Sequence, residues 1–147
     1  TASMLADKGI ILVNSAGNDG MGTWKKLNFP ADARNIITVG AITPMGDNAA
    51  FSAVGPTADG RIKPDVMAYG SPAVVISGRG TIVDDMGTSF SAPLISGMVA
   101  CLWQALPDKT AKEIIDIVIH SGNNIHPDNV YGYGVPDFQK AYNNGKR

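Results

Sequence analysis

The residues of this chain best suited to chemistry sit in one short run, Gly87-Thr88-Ser89-Phe90-Ser91-Ala92-Pro93, where a strand-and-loop region meets an apolar helical stretch. A serine in the first turn of a helix lies at the positive end of the helix dipole, among backbone N–H groups that have no partner within the helix. Such groups can hold a developing oxyanion, as acyl transfer through a serine requires. Gly87 leaves room for a substrate backbone. Pro93 has no N–H, so the carbonyl of Ser89 loses its helical partner. The competing use is plain: Ser89 or Thr88 would also serve as an N-cap.

A second candidate is Ser15-Ala16-Gly17-Asn18-Asp19-Gly20, directly after an apolar run. Ligands gather at the C-terminal ends of strands in open α/β sheets. There the Asn18 amide could donate to an oxyanion, with glycines keeping the approach open. A solvated Asn/Asp/Gly turn is the commoner use of such residues. A phosphate loop fits less well, because Gly17, Gly20 and Gly22 do not make GxGxxG and no Gly-Lys-Ser/Thr follows.

These runs need elements to hold them. Thr1–Lys8 reads as the end of a helix stopped by Gly9, and Ile10–Val13 as a strand covered on both faces. Ile36–Ile42 is the next buried strand, with a short one around Val66. Ala73–Ser77 and Thr81–Val83 form a hairpin through Gly78 and Gly80. Ser91–Leu106 is apolar almost all round and predicts a buried helix ended by Pro107, with Cys101, Met98 and Trp103 in the core. Thr110 with Glu113 forms a capping box ahead of Ile114, Ile115, Val118 and Ile119. A last helical turn runs from Pro136 to Tyr142. The expectation is one α/β domain over 1–147, with a mostly parallel sheet.

Composition narrows the function classes. With 12 Lys plus Arg against 13 Asp plus Glu, the net charge of -1 gives no electrostatic case for nucleic acid or an anionic membrane surface. Cys101 is the single cysteine, so no internal disulfide forms, and no Cys/His cluster suggests a metal. No apolar run approaches the length of a membrane span.

Together the motifs resemble the subtilisin-like serine proteases, the subtilase family. Gly87-Thr88-Ser89-Phe90-Ser91-Ala92-Pro93 resembles the family's nucleophile motif, and Ser15-Ala16-Gly17-Asn18-Asp19-Gly20 its oxyanion-asparagine motif. Phe29-Pro30-Ala31, Ile37–Ala41, Phe51-Ser52 to Gly55-Pro56 and Gly60–Val66 follow in the family's order, and Gly132-Tyr133-Gly134 to Asp137 resembles the closing segment. The resemblance implies a subtilisin-like three-layer sandwich, represented by its C-terminal half only. It implies Ser89 as nucleophile and Asn18 as oxyanion donor, assisted by the Ser89 N–H. It implies Ser15, Ala16 and Gly17 as a wall of the pocket for the side chain before the scissile bond, with Asp19 at the rim and Gly87 and Thr88 beside the substrate. Protein or peptide substrates, no required cofactor, and a secreted or cell-envelope location also follow. A weak structural cation near Ala31–Ile36 stays open.

Met86, Phe90 and Tyr69 depart from the family pattern, the first two on the leaving-group side. In the family the triad Asp and His precede the oxyanion asparagine. Here no His precedes Asn18, and His120 and His126 both follow Ser89 in surface-like settings. A serine without a base is a poor nucleophile. The expectation is therefore an endopeptidase whose remaining triad lies in an N-terminal half, with this chain alone inactive and its cut face inviting that half or a homo-oligomer. The alternative is a non-catalytic subtilase-like peptide-binding domain. An α/β-hydrolase elbow fails because Ser91 stands where GxSxG needs glycine.

Overall fold

The computed structural model describes residues 1–147. Two 3₁₀ turns, Ala2–Met4 and Ala6–Lys8, open the chain and end at Gly9, whose φ of 74° is the left-handed cap expected of glycine. Strands β1 (Val13–Ser15), β2 (Ile37–Ile42) and β3 (Val66–Tyr69) pair in parallel in that order. Val13 stands opposite Ile37, and Val39 opposite Val66. Parallel neighbours need long connections. Residues 16–36 and 43–65 supply them as loops rather than helices, and both loops pass the C-terminal edge of the sheet.

β2 is buried at every residue, as a central strand of β-branched residues should be. On one face, helix α1 (Thr88–Ala105) presents Ile95, Val99 and Leu102 at helical spacing to Ile37, Val39, Val66 and Ala68. Helix α2 (Ala111–Ile119) adds Ile114, Ile115 and Val118, and α3 (Phe138–Gly145) adds Ala141. Each such Ile, Val or Leu side chain contributes roughly 1.5–3 kcal/mol by leaving water. The capping box of α2 is formed in both directions, Thr110 with Glu113. On the other face loops cover the sheet: the Thr38 hydroxyl donates to Ala31 O (2.6 Å), and a Cβ on Gly40 would collide with Met67. Strands β4 (Ala73–Ile76) and β5 (Ile82–Asp85) form the expected hairpin as a separate antiparallel ribbon.

Four local expectations are corrected. β1 begins only at Val13 and is half-buried, because it is an edge strand with β2 as its single neighbour. The first long helix starts at Thr88 rather than Ser91, which brings Ser89 into its first turn. That helix is buried along one stripe only: Leu94, Met98 and Cys101 face outward, so neither Met98 nor Cys101 is a core residue. The last helix runs on to Gly145, started by the Asp137 side chain, which accepts from the Lys140 N–H.

Candidate active site

β1 and α1 meet at the C-terminal edge of the sheet. Chain leaving β1 turns at Ser15–Gly17 and puts Asn18 against the start of α1. The Asn18 side-chain oxygen accepts from the Thr88 backbone N–H (3.0 Å) and from the Thr88 hydroxyl (2.8 Å). A backbone N–H can only donate, so the oxygen of the amide must face Thr88 and its NH₂ must face away. That NH₂ lies beside Gly87, where a Cβ would stand 3.4 Å from Asn18 Nδ2. Any side chain at position 87 would crowd the donor.

Thr88 itself is fully buried and double-bonded into place, because its hydroxyl also accepts from the Gly17 N–H (3.2 Å). One residue on, Ser89 is exposed. Neither its N–H nor its hydroxyl is bonded within the chain, and Asn18 Nδ2 donates to nothing. Two free donors, one from a side chain and one from a helix N-terminus, thus flank a free hydroxyl. Such an arrangement can hold the oxyanion of an acyl-transfer intermediate without reorganising.

Behind it, the start of α1 is fixed from the sheet side. The Ser91 hydroxyl donates to Tyr69 O (3.0 Å), and the Gly87 N–H donates to Gly70 O (2.9 Å). Gly70 has no room for a side chain, since a Cβ there would meet Ser91 Oγ at 2.4 Å. The end of β3 and the first turn of α1 are therefore one packed unit.

Ser15, Gly17, Asn18, Asp19, Thr88 and Ser89 line a common cleft of about 380 Å³. Ala16 does not reach it: its side chain is fully buried with Leu27 and Ala31. Asn28, Phe29 and Pro30 form the facing wall, a contribution missed by sequence reasoning. Asn28 donates to the Asp19 carboxylate and so ties the two walls together. The signal was the Phe29-Pro30-Ala31 run, which carried the family resemblance but no role. On the far side of Phe90 a second, apolar hollow of about 470 Å³ is lined by Pro72, Val75, Pro93 and Leu94.

Neither histidine lies in the cleft. His120 caps α2 and is held by Asp116 and the edge of Tyr133, while His126 sits in an exposed turn.

A model of the subtilase family matches residues 2–134. The chain belongs to the subtilases. It is 31% identical to subtilisin-like protease SBT6.1 of Arabidopsis thaliana over 90% of its length, but that match spans 14% of the relative. It is 29% identical to serine protease AprX of Bacillus subtilis over 90% of its length, spanning 35% of the relative. Among solved structures, the self-cleaved protease domain of PatA superposes with a TM-score of 0.79 at 25% identity, covering 98% of this chain and 53% of that one. The subtilase chain described here thus spans about half of that solved domain, and subtilases as a family are serine proteases. No helix is long and apolar enough to cross a membrane.

Proposed function

We propose that these residues supply the nucleophile and oxyanion hole of a serine endopeptidase, and that residues preceding Thr1 in a longer protein supply the triad Asp and His. Ser89 Oγ attacks the scissile carbonyl carbon while its proton passes to that histidine. The carbonyl oxygen takes the negative charge between Asn18 Nδ2 and the Ser89 N–H. The C–N bond then breaks, the amine leaves with the histidine's proton, and water hydrolyses the ester on Ser89.

One observation carries this reading: the Asn18 amide is clamped by two Thr88 donors so that its NH₂ is turned, unbonded, toward the start of the helix that bears Ser89. The exposed α1 stripe of Leu94, Met98 and Cys101, with the unpaired outer edge of β1, supports a covering N-terminal part. Substrates are proteins or peptides, with Asp19 at the rim of the cleft for the residue before the scissile bond. The location is outside the cytoplasm or at the cell envelope, by analogy with the family.

The reading needs no metal cation at the turn Ala31–Ile36, where two carbonyls are already engaged. Ala31 O already accepts from Thr38, and Asp32 O from the Arg61 guanidinium (2.8 Å), which brings its own positive charge to the turn. No step of the reaction passes through a metal there.

The test is peptide hydrolysis by the full-length protein. Ser89→Ala is expected to abolish turnover, and Asn18→Ala to lower kcat with little change in KM, because the donor acts on the transition state. Hydrolysis that survives Ser89→Ala would overturn the reading. A wild-type protein that binds peptides and never cleaves them would replace it with a binding function.

A further inference from the structure

The β4–β5 ribbon carries an apolar surface that the catalytic reading does not use. Val74 stands opposite Asp84 and Ile76 opposite Ile82, so these four side chains share one face. The inner face, with Ala73 and Val75, lies toward Phe90, Pro93 and Leu94. The outer face is open to solvent, with Val74 also bordering the apolar hollow beside Phe90: Val74 is 73% exposed, and Ile76 and Ile82 are each 76% exposed. A ribbon with one solvated face normally alternates apolar with polar residues. Three adjacent β-branched apolar residues on the solvated side form a patch of the kind that marks an interaction surface.

Charge sets the occupant. Arg79 sits at the tip of the hairpin, held in a turn by Ser77 N–H to Thr81 O (2.8 Å) and Gly80 N–H to Ser77 O (2.9 Å). Asp84 sits at the base, on the apolar face. Neither forms an ion pair within the chain. The row of Val74 and Asp84 lies about 7 Å to one side of the row of Ile76 and Ile82 at the rise of a β-strand, and the turn that bears Arg79 lies on the other side. The Ile76–Ile82 row is therefore the centre of a pattern with opposite charges at its ends. A two-fold axis through that row turns the pattern onto its complement.

We infer that this face binds a second copy of the same chain, hairpin against hairpin. Ile76 and Ile82 of both copies meet at the axis, Val74 flanks them, and Arg79 of each copy reaches Asp84 of the other. The apolar centre supplies the affinity and the rim pairs fix the register. The contact is separate from the exposed stripe of α1 and independent of the proposed proteolysis.

Sedimentation velocity of the full chain over a concentration series tests it, in a Ser89→Ala background so that no proteolysis intrudes. A monomer–dimer equilibrium is expected. Ile76→Ser, Arg79→Asp and Asp84→Arg should each weaken it by about ten-fold or more, with unchanged circular dichroism. Combining Arg79→Asp with Asp84→Arg should return the affinity toward that of the parent, because the charge pattern is reversed at both ends. A monomer at all concentrations would overturn the inference. So would a dimer indifferent to Ile76→Ser and Arg79→Asp, a double variant no tighter than the single ones, or association moved only by Met98→Asp on α1.

Discussion

The two ends of the parallel sheet treat polar groups in opposite ways. At the N-terminal end, Lys63 and Asp65 are buried and paired: Lys63 Nζ donates to Asp65 Oδ2 (2.5 Å) and Thr38 Oγ1 (3.0 Å), and Asp65 Oδ2 accepts from the Thr38 N–H (2.7 Å). Nearby, Arg61 and Arg34 both bond the Asp59 carboxylate. At the C-terminal end, Asn18 Nδ2, the Ser89 N–H and the Ser89 hydroxyl are all left free. Burial forces the first arrangement, since an unpaired charge there is costly. The second asks nothing of folding, since donors at an exposed edge can bond water, and it is the arrangement the proposed oxyanion hole needs. Paired polar groups fasten chain segments together at one end; groups without a partner in the chain lie exposed at the other.

Removing half of the buried pair should break the structural end with the largest effect. Lys63→Ala strands Asp65, whose burial already pushes its carboxyl above the ordinary value against the pull of Lys63. The expected loss is about 3–5 kcal/mol in denaturant unfolding. Replacing both partners, Lys63→Met with Asp65→Leu, should cost clearly less. If the double variant is as damaged as the single one, the pair is not the cause.

At the other end, Asn18→Ala should lower kcat of the full-length protein by about 10²–10³, the size measured for such a donor in subtilisin itself, and should cost a smaller amount, about 1–3 kcal/mol, in unfolding, because the buried Thr88 N–H loses its acceptor. Equal losses of stability and activity would erase the contrast between the two ends. Thr88→Val sharpens it. This change removes the hydroxyl that holds the Asn18 oxygen and keeps the N–H that also holds it. Steady-state kinetics should show about a ten-fold fall in kcat, one hydrogen bond's worth of orientation, with KM little changed.

The smallest effect concerns acid. Bonds from Arg61 and Thr57 hold the Asp59 carboxyl well below its ordinary value of 3.8. A depressed folded value means that the contribution is complete above the unfolded value and is lost as pH falls through the folded one. Thermal unfolding from pH 5 to pH 2 should therefore show an acid limb that Asp59→Asn shallows.

The candidate site was legible in the sequence because the motifs that mark it are local. Gly87 to Pro93 spells a helix start, and Asn18 follows a strand end between glycines. The capping box at Thr110 and Glu113 and the hairpin around Gly78 and Gly80 were legible for the same reason. What escaped depends on distant segments meeting. The run from Ser91 to Leu106 reports that its side chains are apolar, not what lies against each, so the outward turn of Met98 and Cys101 was invisible. Asn28 reaches Asp19 only after the loop after β1 folds back. Lys63 and Asp65 read as two charges beside a proline until β2 brings Thr38 between them.

The central claim is that Ser89 is an acyl nucleophile served by the Asn18 and Ser89 donors and by a base outside this chain. Fluorophosphonate labelling read by intact mass tests it most directly. The account predicts a single adduct on the full-length protein, absent in Ser89→Ala, and no adduct on the 147-residue chain alone. A full-length protein that stays unlabelled, an adduct that persists in Ser89→Ala, or labelling of the isolated chain would contradict it.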